Sequence, residues 1–232
     1  MAAANTGTMI EFPANGDNAP GYLARPEGDG PFPGVVVIQE WWGLDDHIKD
    51  VTERFAAEGF VALAPDLYRG QIAAEPDDAR RLAMELERDQ AMLDIQGAVN
   101  YLLVQPIVEP KQAGIIGFCM GGGLAMMMSY RGENVGAAVV FYGGGVQPSD
   151  EELEAISAPL LGIYGEADGG IPVERVEEWD TRLHQFGVEH KMIVYPDAPH
   201  AFFNNERSSY RPDAAADAWQ RTQEWFGRHL RG

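Results

Sequence analysis

The chain has one cysteine in 232 residues. That excludes an internal disulfide and a thiolate metal cage, and it agrees with a reducing compartment such as the cytoplasm. Basic residues are scarce as well. Seventeen Lys and Arg stand against 36 Asp and Glu, a formal charge of −19. Nucleic acid and anionic membrane both require a basic face, so neither is expected as a partner. The acids are spread through the chain (DDH at 45–47, EPDD at 75–78, SDEELE at 149–154) and read as a solvated surface. Long apolar runs are missing. AAVVF at 137–141 falls far short of the roughly 20 residues needed to span a bilayer. The opening MAAANTGTMIEF lacks the basic and apolar regions of a secretory leader. No repeat, low-complexity tract or linker divides the sequence. The five histidines form no ligand-spaced cluster with acids, so neither metal nor cofactor is expected. These absences predict one domain over residues 1–232, a monomer or small homo-oligomer.

What is present alternates in type. GVVVIQE (34–40), FVALAPDL (60–67, broken by Pro65), AGIIGF (113–118), GAAVVFY (136–142), PLLGIYG (159–165) and HKMIVYP (190–196) read as short buried strands. Between them, helical spacing runs from Leu44 to Gly59 and over 76–105, 121–130 and 172–187. A closing helix covers 213–230, with Asp213 as its N-cap. TMIEF and GYLARP, near the start, read as a two-stranded antiparallel flap. This alternation predicts an α/β fold, a doubly wound, mostly parallel sheet flanked by helices. In such sheets function gathers beyond the carboxyl ends of the strands.

One stretch at such an edge holds the only thiol. GFCMG (117–121) fits the pattern Gly-x-nucleophile-x-Gly between a strand and a helix, with cysteine where serine is usual. Small neighbours let strand and helix approach, and the helix N-terminus faces developing negative charge. By itself the pattern leaves open a buried structural cysteine. A base is needed, and His200, in the loop after the last strand, is the best placed. His184 and His229 lie on helices, His190 opens a strand and His47 has no evident partner. The chain order nucleophile, acid, histidine places the acid between 119 and 200. Asp168 in YGEADGGIP fits better than Glu166 or Asp197.

With these residues in view, the sequence resembles the dienelactone hydrolase family of the α/β-hydrolase fold. The matching pieces are VVVIQEWWGL (35–44), APDLY (64–68), GFCMGGG (117–123), GEADGGIP (165–172) and YPDAPHAF (195–202). The resemblance implies a hydrolase of small lactones or carboxylic esters with Cys119, Asp168 and His200 as its triad. It also implies that Glu40 touches the resting thiol and that the backbone N–H groups of Trp41 and Met120 form the oxyanion hole. A carboxylate beside a thiol disfavours the thiolate, which gives Glu40 a physical reason as well. Family members hold the substrate carboxylate with arginines, one of them four residues after the histidine. Here that position is Asn204, with Arg207 three further on, and Arg80 and Arg81 are candidates for the other. Trp41, Trp42, Tyr68, Phe118, Phe202 and Phe203 are candidates for an apolar pocket or for core. The alternative is a non-catalytic protein of the same fold that binds a small carbonyl ligand.

Overall fold

Among the described residues, eight strands form one sheet in the order β1-β2-β4-β3-β5-β6-β7-β8. They are β1 (Thr8–Ala14), β2 (Asp17–Ala24), β3 (Phe32–Ile38), β4 (Val61–Pro65), β5 (Val108–Phe118), β6 (Val135–Phe141), β7 (Leu160–Gly165) and β8 (His190–Tyr195). This computed structural model describes residues 7–231, so most of the opening stretch read for a secretory leader lies outside the described residues. From β4 through β8 every neighbouring pair is parallel. The parallel strands carry unbroken apolar runs because helices cover both faces. Val35, Val36, Val37 and Ile38 are fully buried, as are Ile115 and Ile116. Among the described residues, seven helices flank the sheet: α1 (Asp46–Ala57), α2 (Pro76–Glu85), α3 (Arg88–Leu103), α4 (Met120–Arg131), α5 (Asp150–Glu154), α6 (Val173–Gln185) and α7 (Pro212–Leu230). None of them is long and apolar enough to cross a membrane.

The fold departs from the sequence reading in several local places. The N-terminal hairpin is not a flap: β2 pairs antiparallel with β4, so the hairpin becomes the edge of the main sheet. Pairing there satisfies the backbone groups that an open β4 edge would leave exposed. The stretch 76–105 is two helices, parted at Leu86 and Glu87, both of which take extended backbone angles. Pro65 ends β4 rather than breaking it, and β3 stops at Ile38, so Glu40 lies in the loop beyond. Asp213 sits inside the first turn of α7, and the N-cap is Arg211. The short helix α5 has a capping box, Ser149 with Glu152, inside a segment read only as solvated acids.

Strand order reverses beside β3: the chain goes to β4 on one side and later to β5 on the other. A crevice opens beyond the carboxyl ends at such a reversal. The β3 loop with Glu40 and Trp41 and the β5 turn with Cys119 both end there. Two side chains brace this edge. Buried Gln39 accepts a hydrogen bond from Leu67 N–H at 3.1 Å, and Asp45 caps α1 by accepting from Ile48 N–H at 3.1 Å.

Candidate active site

Cys119 occupies the turn from β5 into α4, at the N-cap of the helix, with φ 55° and ψ −114°. A non-glycine residue in that region is strained and needs surroundings that hold it. The glycines around it provide them. A Cβ on Gly117 would lie 1.9 Å from the carbonyl oxygen of Gly121, and one on Gly121 would lie 2.4 Å from the carbonyl oxygen of Gln39, so strand, helix and the end of β3 meet only where both residues lack side chains. The two glycines let the turn close and leave the sulfur at the lip, where Cys119 is only partly buried. Among the described residues, the backbone N–H groups of Trp41 and Met120 donate to no acceptor.

His200 follows β8, and its Nδ1 lies 2.6 Å from Oδ2 of Asp168, which follows β7. The two loops touch because Gly165 admits the carbonyl oxygen of Ala198 to within 2.1 Å of where a Cβ would stand. Asp168 is nearly buried, and its Oδ1 accepts from the backbone N–H of Gly170 at 2.8 Å and Ile171 at 3.2 Å. Burial alone would raise the carboxyl pKa, but the bonds from His200 and from the two amides outweigh it and hold it below the usual range. Burial likewise pulls His200 down, yet its interactions with Asp168 and with Cys119 push it up to about 10. Glu166 and Asp197 do not compete for the imidazole: Glu166 accepts from the backbone N–H of Asp197 at the surface.

Glu40 is 1% exposed and spends its oxygens on two partners. Asn204 Nδ2 donates to Oε2 at 2.7 Å, and the Tyr142 hydroxyl donates to Oε1 at 3.3 Å. Burial dominates and pushes its carboxyl up to about 7, against the pull of the Asn204 bond. Glu40 borders the same cavity as Cys119, but among the described residues no hydrogen bond joins the two.

Two cavities meet at this point and share Trp41, Cys119 and His200. One, of about 360 Å³, runs over α4 and is walled by Leu86, Leu124, Met127, Val146 and Ile171. The other, of about 370 Å³, is bounded by Glu40, Trp42, Ala201, Arg207 and Ser209. The Arg207 guanidinium stacks 3.8 Å over the Trp42 ring.

Several candidates fall elsewhere. Asn204 is fully buried with its amide on Glu40, so it does not face either cavity. Arg81 lies on the exposed side of α2, paired with Glu85 at 2.9 Å, as the i to i+4 spacing on a helix favours. The cations that line the cavities are Arg207 and Arg88. Phe118, Phe202 and Phe203 are core, and Tyr68 is buried with its hydroxyl on Met120 Sδ, so of these candidates only Trp41 and Trp42 line a cavity. His47 is buried on α1 with Nδ1 toward Asn205, and burial lowers it to about 4. Tyr142 was missed by the sequence reading. It stands immediately after β6 with φ 37°, and the carboxyl-edge rule alone would have found it.

A model of the dienelactone hydrolase family matches residues 19–230. The chain belongs to the dienelactone hydrolase family. A Synechocystis sp. protein named "Putative carboxymethylenebutenolidase" is 34% identical over 97% of each chain. Protein usf of Aquifex pyrophilus is 38% identical over 97% of this chain and 99% of its own. Among solved structures, a "Putative Dienelactone Hydrolase" from Klebsiella pneumoniae superposes with a TM-score of 0.88 at 32% identity, covering 96% of this chain and 98% of that one. A dienelactone hydrolase-like promiscuous phosphotriesterase from metagenomic libraries gives 0.89 at 25% identity, covering 98% and 100%. Membership makes this chain a hydrolase with the α/β-hydrolase architecture, as the sequence pieces implied.

Proposed function

We propose that the protein hydrolyses small lactones or carboxylic esters through a Cys119–His200–Asp168 triad and a thioacyl intermediate. The observation that carries this reading is the 2.6 Å contact between His200 Nδ1 and Asp168 beside the only thiol, at a helix N-terminus, where two cavities meet. Asp168 holds the proton on Nδ1, and the raised pKa of His200, about 10, favours transfer of the thiol proton to Nε2. In acylation, Sγ bonds to the carbonyl carbon while His200 accepts the thiol proton. The carbonyl oxygen gains negative charge and is met by the free N–H groups of Trp41 and Met120. Collapse breaks the C–O bond, and His200 returns its proton to the leaving alkoxide. Water then attacks the thioester with His200 as base, releasing the acid and the thiol. A non-catalytic carbonyl binder would need neither the paired imidazole nor two open N–H donors.

The lone cysteine makes the test direct. Iodoacetamide modifies one thiol only, so turnover of a p-nitrophenyl ester should fall in step with alkylation, and a competing lactone should slow both. Fully alkylated protein that still turns over the ester at its original rate removes Cys119 from the reaction.

Glu40 serves in this reading to moderate the thiolate. Its carboxyl, held at about 7, is mostly neutral below that pH and mostly charged above it. A charged Glu40 repels the thiolate, so its influence is present above about pH 7 and fades as the pH drops. Glu40→Gln should therefore make Cys119 alkylate faster than wild type from about pH 7 upward, with the two profiles converging at lower pH. Coincident profiles across the whole range take this role from Glu40.

A further inference from the structure

The two cavities differ in lining, and that difference identifies a substrate class. Drug-sized ligand sites span about 300–1,000 Å³. Each cavity here reaches that range alone, at about 360 and 370 Å³. A compact lactone, whose acyl and alcohol parts share one small ring, does not fill two such spaces that meet at a nucleophile. An open-chain ester does, with one part in each. The cavity over α4 is walled by Leu86, Leu124, Met127, Val146 and Ile171. Among the described residues its one permanently charged neighbour is Arg88, exposed in the first turn of α3. Leu124, Met127 and Ile171 have almost no other exposure, at 4%, 7% and 5%. Methionine is unbranched and adapts its shape to what it touches, so such a wall reads apolar area rather than outline.

We propose that the α4 cavity is a chain subsite, and that the protein hydrolyses open-chain esters carrying an unbranched apolar acyl chain. The proposal rests on the ester-hydrolase reading above and adds to it where the chain sits and what sets its length. Burying one methylene is worth a factor of about four in binding. If the transition state keeps that contact, kcat/KM rises by about three- to fourfold per methylene until the cavity is full. Leu86 lies at the junction of α2 and α3 and is partly exposed, so a larger side chain there can narrow the cavity without disturbing the core. Met127 narrows it from the α4 side.

The experiment is the series of p-nitrophenyl esters from acetate to octanoate on the wild-type protein, Leu86→Trp and Met127→Trp. Wild type should show the stepwise rise through at least hexanoate, and each variant should lower the hexanoate-to-acetate ratio of kcat/KM tenfold or more. A flat or falling wild-type series overturns the proposal, as does an unchanged ratio in Leu86→Trp, whichever way Met127→Trp behaves. The ratio is independent of how the chemistry is assigned. If Cys119→Ala kept its turnover, the nucleophile assignment would fail while the length dependence was still being read from the same series.

Discussion

Cys119→Ala and His200→Ala should each lower kcat by roughly a thousandfold or more, while the double variant loses little beyond either single one. The reason is that nucleophile and base act as a unit: without the imidazole the thiol proton has no acceptor, and without the sulfur the imidazole has nothing to activate. Of this kinetic unit, the half joining His200 to Asp168 is a 2.6 Å bond between loops at the ends of adjacent strands. The residual rate of the variants reports the contribution of substrate binding and of the N–H donors at Trp41 and Met120. Circular dichroism and thermal melting would establish that each variant folds. Neither side chain belongs to the fully buried core, so melting temperatures close to wild type are expected. Turnover within tenfold of wild type in either well-folded variant would overturn the triad assignment.

The second large effect concerns Arg207. Family resemblance placed a carboxylate-binding arginine four residues after the histidine, where this chain has Asn204. The fold gives that asparagine different work: it is fully buried and holds Glu40 at 2.7 Å, so its amide never meets a substrate. The next turn of the same loop brings Arg207 to the cavity that borders Cys119 and His200, its guanidinium stacked on Trp42. No carboxylate pairs with Arg207 at salt-bridge distance among the described residues. A charge-assisted bond from guanidinium to a substrate carboxylate is worth about 1.5–3 kcal/mol in a partly enclosed site, or about ten- to a hundredfold. A protein of net charge −19 offers no general positive field to replace it. Arg207→Ala should therefore lower kcat/KM on an anionic lactone by about ten- to a hundredfold, with a much smaller change on a neutral ester of similar size. Equal losses on both substrates would show that Arg207 acts by packing on Trp42 and not by charge.

The amino-acid sequence by itself determined the alternation of strand and helix, the parallel sheet and the tight turn around Cys119, and it made Asp168 and His200 candidates by their place in the chain order. Those features are local or ordinal. Apolar runs mark strands, Gly-x-Cys-x-Gly marks a tight crossing, and the order of loops along the chain follows the order of strands. The tertiary structure decided which polar groups meet across the crevice. Asn204 and Tyr142 are 164 and 102 residues from Glu40 in sequence, and only the folding of three loops to one sheet edge joins them. The same holds for the pairing of the N-terminal hairpin with β4, which depends on an edge left open by a strand much later in the chain. Arg81 illustrates the limit from the other side. The sequence places it on a helix but does not say which face of that helix meets the cavity, and about half a turn of rotation separates cavity-lining Ala83 from Arg81 in its solvated pair with Glu85. Spacing along the chain reports neighbours a few residues apart, whereas the partners of a buried charge are set by which loops the sheet brings to its edge.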